Sequence, residues 1–310
     1  MRIALNYRQK NERLEEALKD LGHTVVDDTW DIRKIISDRI DAVIFEFKYI
    51  LKNEIKFLKL SYGLKKTGIP RVTWCVDIPN IGARKWKLSL LLKADLIDIF
   101  ATHSMQDLPG PTDSIIYLPN AAWLKRYNPG NVTLEELRNP GKYTTDVSFI
   151  GNMDSAKYPE HLRRARFLDA LGVMLRQNGI SYRFEDGRHL DVSAQVDIIQ
   201  RSRININFGC GADRYENKSW GLPERCYGIP ACGGFLLSEE RAHAKDDFIE
   251  GEEIVLFRDL KDCFEKIRYY ITSHDEARRI AENAYRRVMN EHTYRHRAEK
   301  LMGSIMKLKK

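Results

Sequence analysis

Glu224 and Arg225 stand inside SWGLPERCYGIPACGGFLL (residues 219–237), which reads as a short helix, a glycine turn at Gly233-Gly234 and a buried strand. A helix start and a flexible glycine backbone present free N–H groups to an anion, and a neighbouring arginine adds a charged fork that fits phosphate. This is the chemistry of a phosphate site. The same order of residues also serves any helix-to-strand connection in an α/β protein, where the glycine only caps the helix.

Three other side chains suit proton transfer or substrate contact. Asp77 ends the apolar run IPRVTWCVD and precedes Ile78-Pro79, which puts a carboxylate at the carboxyl edge of a sheet, where open α/β folds hold ligands. A turn-forming role fits it as well. His103 follows ADLIDIFAT and reaches the same edge; histidine titrates in the range useful for catalysis, and a lone histidine after a strand also has structural uses. Glu46, inside DAVIFEF, either faces a ligand or pairs with a lysine. Lys48, Lys52, Lys56 and Lys59 recur at helical spacing and form one stripe, either a solvated helix surface or a contact for a phosphate backbone. Lys52 and Lys56, with Asn120 at the end of IIYLPN, are the acceptor-side candidates, and Arg84-Lys85-Trp86-Lys87 adds a basic, aromatic patch.

These residues are carried by alternating elements. RIALN is a first strand, Leu14, Leu18 and Leu21 mark a helix stopped by Gly22, and HTVVDD and DAVIFEF are further strands. A helix from Lys48 to Lys66 is expected to turn Leu51, Ile55, Leu58 and Tyr62 inward, and strands at 69–77, 94–104 and 115–122 follow. The segment YNPGNVTLEELRNPGKYTT is poor in apolar residues and repeats Asn-Pro-Gly, as a linker does. The alternation then restarts with DVSFIGN, a helix over about 158–178 and ISYRFED, and closes with helices to the C-terminus. Strand–helix alternation of this kind gives parallel sheets covered by helices. The expected organisation is an acceptor-side Rossmann-like domain over 1–130, a linker over 131–145, a second Rossmann-like domain over 146–291 and a terminal helix over 292–310 that packs back on the first domain.

Composition narrows the classes. The 310 residues are 43% hydrophobic and 31% charged, and no apolar run approaches the length that spans a bilayer. The N-terminus turns polar after MRIAL, so it reads as a strand and not as a signal peptide, and a cytoplasmic protein is expected. Five cysteines without a CxxC pair exclude the usual zinc spacings and a disulfide framework. His292 and His296 fall in EHTYRH, which lacks the HExxH order, so no metal site is expected. The formal net charge is +7, with the larger share in the first 130 residues, which suits an anionic partner.

GLPERCYGIPACGGFLLSEE, DDFIEGEEIVLFRDLKDCFEKIRYYI and DEARRIAENAYRRVMNEHTYRHRAEKL, in that order and preceded by VSFIGN and SRININF, resemble the carboxyl-terminal domain of the CgeB-like (spore-maturation-protein-like) branch of the group 1 glycosyltransferases. The resemblance runs from about Val147 to about Leu301. It implies a GT-B fold, α/β with two Rossmann-like domains facing across a cleft, a donor held mainly by the second domain, no obligatory metal and no cofactor beyond the nucleotide sugar. It also implies a nucleotide diphosphate sugar, most often a uridine one. In that picture Gly151-Asn152 approaches the diphosphate, Arg225 neutralises it and Gly233-Gly234 let backbone come near. Related sequences place a glutamate for the donor ribose where this chain has Gly228; Glu224, one helical turn earlier, takes over that task or only caps the helix. The acceptor implied is a glycan, a protein or a modified nucleobase. If the anomeric centre inverts, Asp77, His103 or Glu46 is the base; if it is retained, none is required. A DNA-modifying transferase, a GT-B sugar-nucleotide epimerase and a non-catalytic binding protein are the alternatives.

Overall fold

The computed structural model describes residues 1–109, 112–213 and 217–308. In chain order the first elements are β1 (Arg2–Asn6), α1 (Glu12–Asp20), β2 (Thr24–Asp27), α2 (Ile32–Ser37), β3 (Ala42–Glu46), α3 (Phe47–Lys52), α4 (Glu54–Thr67), β4 (Arg71–Cys75), α5 (Ala83–Lys93), β5 (Ile99–Thr102) and β6 (Ile115–Tyr117). There follow β7 (Thr145–Gly151), α6 (Leu162–Gln177), β8 (Tyr182–Asp186), α7 (Val192–Arg201), β9 (Ser202–Asn207), α8 (Arg225–Ala231), β10 (Leu236–Glu239), α9 (Ala244–Asp247), β11 (Val255–Phe257), α10 (Leu260–Thr272), α11 (His274–Glu291) and α12 (Tyr294–Leu308). The chain divides into two compact units, Met1–Pro119 with Tyr294–Lys310, and Asn120–Thr293. Residues 120–145, read above as the end of one domain and a linker, fall with the second unit.

In the first unit the described strands form a parallel sheet of order β2-β1-β3-β4-β5-β6. Its middle strands are buried on both faces, which is why AVIF and VTWC carry no charge. Asn11 caps α1 through the amide of Leu14, Leu14 and Leu18 fill the core, and Gly22 ends the turn at φ +79°. α12 lies against α1, with Arg297 donating to the carbonyl of Pro119 at 3.0 Å. The chain leaves β1 on one side for β2 and returns on the other for β3, so the topological switch point lies between β1 and β3.

The expected helix from Lys48 to Lys66 is corrected by the structure. It breaks at Asn53 into α3 and α4, and the buried residues of α4 are Phe57, Leu60, Ser61 and Leu64. Ile55, Leu58 and Tyr62 face solvent instead. The two apolar stripes, 55-58-62 and 57-60-64, have the same spacing, so periodicity alone does not choose between them; the Phe57 ring, packed edge-on against Phe45 at 5.1 Å, decides the face. The lysine stripe is broken with the helix, and Lys48 is drawn into an ion pair with Asp77.

The second unit holds a parallel sheet of order β11-β10-β9-β7-β8 among the described residues. In β9, Ile204 and Ile206 enter the core with Phe149 and Leu171, while Asn205 and Asn207 point to the other face, where Asn205 accepts from Ser148 and the Asn207 amide donates to Ser238. Here the strand order reverses between β7 and β9.

Candidate functional site

A cavity of about 380 Å³ opens at that switch point, at the carboxyl ends of β7 and β9, which is where ligands bind in open parallel sheets. Ile150, Gly151 and Asn152 form one wall and Pro223, Glu224 and Arg225 the facing one. The guanidinium of Arg225 lies where a side chain on residue 151 would stand, with the Phe149 ring beside it. Only glycine leaves room at 151 for that arginine to reach the strand end.

Arg225 donates to the carbonyls of Ile150 (3.1 Å) and Gly209 (3.3 Å), and its Nε has no partner. Arg164, from α6, is buried beside it and donates to the carbonyls of Phe208 (2.9 Å) and Asn152 (2.7 Å). Both guanidinium groups flank the Phe149 ring, at 5.7 Å and 5.3 Å. Burial, reinforced by Arg225, pulls the pKa of Arg164 down to about 9. Among the described residues neither arginine is in an ion pair. Two like charges held together on neutral carbonyls make a preorganised locus for an anion, since a ligand with negative charge relieves their repulsion. His161 is buried near the same pair, and burial followed by Arg164 pulls its pKa down to about 4, so it is neutral at neutral pH.

The surrounding charges are balanced. Arg188 is paired with Asp186 at 2.7 Å, which holds that carboxyl below its usual range, and with Asp154 at 3.3 Å, whose carboxyl is lowered first by the Lys157 amide and then by Arg188. Glu239, fully buried at the end of β10, meets Arg163, Lys218 and Arg241; burial opposes its ionisation, and the three cations overcome it. Its Oε2, which also meets Arg241, accepts the amide of Gly209 at 3.1 Å, and Gly209 in turn holds Arg225. Arg126 reaches Gln195 at 2.7 Å, and Gln195 donates to the carbonyl of Gly187, fixing the rim. Glu224 is the one carboxylate among the described lining residues.

The space beside Gly228, where the resemblance implies a glutamate, has a physical occupant. A Cβ on Gly228 would fall 2.6 Å from Cγ of Tyr127, whose ring forms part of the cavity wall. Burial, then Glu224, pushes the Tyr127 hydroxyl up to about 12, so it stays a hydrogen-bond donor.

Of the donor residues expected from sequence, Gly151, Asn152, Glu224 and Arg225 meet at this cavity. Gly233 and Gly234 do not. They lie at the amino end of β10, where added side chains would strike Leu137 and Ile199, and the carbonyl of Gly233 accepts from Arg278. Their glycine character answers to packing and to φ +77° at Gly233. Asn120 belongs to the second unit and donates to the carbonyl of Leu222 at 3.0 Å, just before Pro223-Glu224. Glu46, Asp77 and His103 end or follow β3, β4 and β5, three neighbouring strands of the first sheet. Asp77 is buried and ion-paired with Lys48, with Arg84 at 3.8 Å, and His103 is fully buried. Glu46 sits at the switch point and accepts the amide of Arg8, after β1, at 3.1 Å. Lys52 and Lys56 are exposed on separate helices. All five cysteines are buried and free. Among the described residues no cluster of His, Cys, Asp or Glu has a metal-holding arrangement, and no helix is long and apolar enough to cross a membrane.

Sequence reasoning missed Arg164, Tyr127 and Gln195. A signal existed for the first: Arg164 shares the helical spacing of Leu168, Leu171 and Leu175, a charge on an apolar face.

No curated protein sequence is significantly similar to the chain. Solved structures share its fold. A glycosyltransferase from Rickettsia africae is 14% identical, covers 100% of this chain and 98% of its own, and superposes with a TM-score of 0.59. A sucrose-phosphate synthase from Thermosynechococcus elongatus is 12% identical over 99% of each chain, with a TM-score of 0.62. Anabaena Alr3699/HepE, solved in complex with UDP and glucose, is 10% identical over 99% of this chain and 100% of its own, with a TM-score of 0.62. The two parallel-sheet units are thus the GT-B fold, and the glycosyl transferase-like family profile matches residues 132–303. With more than half of its length matched, and both Arg164 and Arg225 inside the matched part, the chain belongs to the glycosyl transferase-like family of GT-B glycosyltransferases.

Proposed function

We propose that the protein transfers a sugar from a uridine diphosphate sugar to an acceptor without a metal ion, and that it does so in the cytoplasm as a member of the CgeB-like branch. The observation that carries this reading is the Arg164–Arg225 pair, two guanidinium groups held on main-chain carbonyls beside Gly151 and left without a carboxylate partner among the described residues. When the anomeric C–O bond breaks, its electron pair passes to the diphosphate oxygen. Arg225 is the group aimed at that charge, and a fixed cation there does the work that a divalent ion does elsewhere. The new bond forms between the anomeric carbon and an acceptor hydroxyl or amine, whose proton passes to a base or to the leaving diphosphate. Glu224 is the hydrogen-bond acceptor for the ribose. The HepE complex with UDP and glucose supports uridine as the nucleoside of the donor. The broken lysine stripe removes the motive for a DNA acceptor, and a glycan or protein acceptor is the reading kept.

The test is a thermal-shift titration with UDP, GDP, TDP, ADP and CMP, each with and without EDTA. A ligand that binds only the folded chain raises its melting temperature by mass action. A shift selective for UDP and indifferent to EDTA is expected. A shift that EDTA abolishes removes the metal-free reading, and no shift with any diphosphate removes the donor site.

A further inference from the structure

Two helices of the first unit turn their largest apolar side chains outward. On α4 these are Ile55 (72% exposed), Leu58 (46%) and Tyr62 (61%), and on α5 they are Trp86 (58%) and Leu90 (54%). The inward faces of the same helices are already filled by Phe57, Leu60 and Leu64 and by Leu88, Leu91 and Leu92, so the outer residues are not a misplaced core. At one hundred degrees per residue, Ile55, Leu58 and Tyr62 form one stripe and Trp86 and Leu90 another. The two helices are joined by the ion pair of Lys87 with Glu54, and they connect successive strands, β3 to β4 and β4 to β5, of one sheet.

The stripes are fringed with positive charge. α4 carries four lysines and α5 four basic side chains, against the single carboxylate Glu54. Lys59 and Lys66 lie on the outer side of α4 and Lys93 on that of α5, none in an ion pair among the described residues, and the Lys66 ammonium stands 4.4 Å above the Tyr62 ring.

We propose that this face docks on an anionic lipid bilayer, with the apolar stripes entering the headgroup boundary and the lysines reaching the lipid phosphates. Aliphatic and indole side chains on the crest, with ammonium groups beside them, is the pattern of an interfacial amphipathic surface. Ile55, Leu58 and Leu90 have nothing to gain from a nucleic-acid backbone, which rewards charge alone. A second copy of the chain would set one lysine fringe against another, and that repulsion disfavours a symmetric dimer through this face. Anionic lipid satisfies both the apolar crest and its fringe. The docking is independent of the donor cavity, which lies in the other unit.

The experiment is sedimentation of the full chain with vesicles of phosphatidylcholine alone and of phosphatidylcholine with about 30% phosphatidylglycerol. Binding to the anionic vesicles is expected, weakened about tenfold by Trp86→Ser with Leu90→Ser, and about tenfold by Lys59→Glu, Lys66→Glu and Lys93→Glu together. All five positions are exposed, and melting temperatures check that the variants fold. Quenching of Trp fluorescence by brominated lipid in the native chain, lost in Trp86→Phe, gives a reading that needs no disruptive change. Failure to sediment with anionic vesicles overturns the proposal. So does binding insensitive to the serine substitutions but matched by duplex DNA, which marks a polyanion surface. A concentration-dependent dimer dissolved by those substitutions assigns the face to self-association instead.

Discussion

The ring of Tyr127 packs against the backbone of Gly228 so closely that a Cβ there would lie 2.6 Å from both Cγ and Cδ1. The two residues are a matched pair: a tyrosine fills the space that a glutamate would need, and glycine makes that filling possible. Gly228→Ala should therefore cost about 1–3 kcal/mol through overpacking. Gly228→Glu should cost more, and much of its loss should return in the double variant with Tyr127→Ala. Denaturant melts of the two single variants and the double variant check this. Strictly additive losses would show that the residues do not compete for one space.

The arginine pair gives a second prediction. Arg225→Ala removes a charged donor aimed at the cavity, and loss of such a contact costs about 1.5–3 kcal/mol, at least about tenfold in Kd for a nucleoside diphosphate. His296→Ala, on α12 in the other unit, should leave nucleotide affinity unchanged. Calorimetric titration with UDP compares them. Gly151→Ala should act like Arg225→Ala, because the new methyl group collides with the Arg225 guanidinium. Equal affinity in all three variants would place the diphosphate elsewhere.

Particular residues explain what could be read in advance. Gly151 and Asn152, at a strand end, and Glu224 and Arg225, at a helix start, line one cavity, as strand ends and helix starts at the carboxyl edge of a parallel sheet do. Gly233 and Gly234 follow a helix and are not among the residues that line the cavity. A helix in such a fold returns the chain to the amino edge, so a helix-to-strand glycine turn faces away from the site. On α4 two stripes of identical spacing compete, and only the tertiary contact of Phe57 with Phe45 selects the buried one. Arg164 and Tyr127 reach the cavity from elements distant in sequence, and pattern within one element does not reveal such meetings.

His161 yields a pH dependence. Its folded-state pKa is depressed to about 4 from an ordinary value of 6.5. Between these values the unfolded chain binds the proton more readily than the folded one, so stability falls as pH drops from 6.5 towards 4 and is unaffected by this group above 6.5. His161→Gln should flatten that part of the melting-temperature profile. A diphosphate beside Arg164 and Arg225 adds negative charge that favours imidazolium, so UDP binding should take up protons as pH falls below neutrality. Calorimetry in buffers of different ionisation enthalpy measures that uptake. Identical profiles for the native chain and His161→Gln would show that the imidazole is not held neutral.

The choice among the carboxylates of the first unit can be put to the same kind of test. Asp77 is buried and committed to Lys48, with Arg84 nearby, so its charge has a structural use. Glu46 stands at the switch point between β1 and β3, half-buried and bonded to the Arg8 amide. A general base must be accessible and near the ligand edge, and Glu46, less committed to a cation, meets these conditions better. Glu46→Gln should keep the melting temperature and lower kcat by about a hundredfold or more if the reaction inverts configuration. Asp77→Asn should instead lower the melting temperature, because it leaves Lys48 and Arg84 without their carboxylate. Turnover and melting curves for both variants, with the anomeric configuration of the product, decide the matter. An active Glu46→Gln with retained configuration would mean that no side chain of the first unit takes the acceptor's proton, and that the leaving diphosphate does.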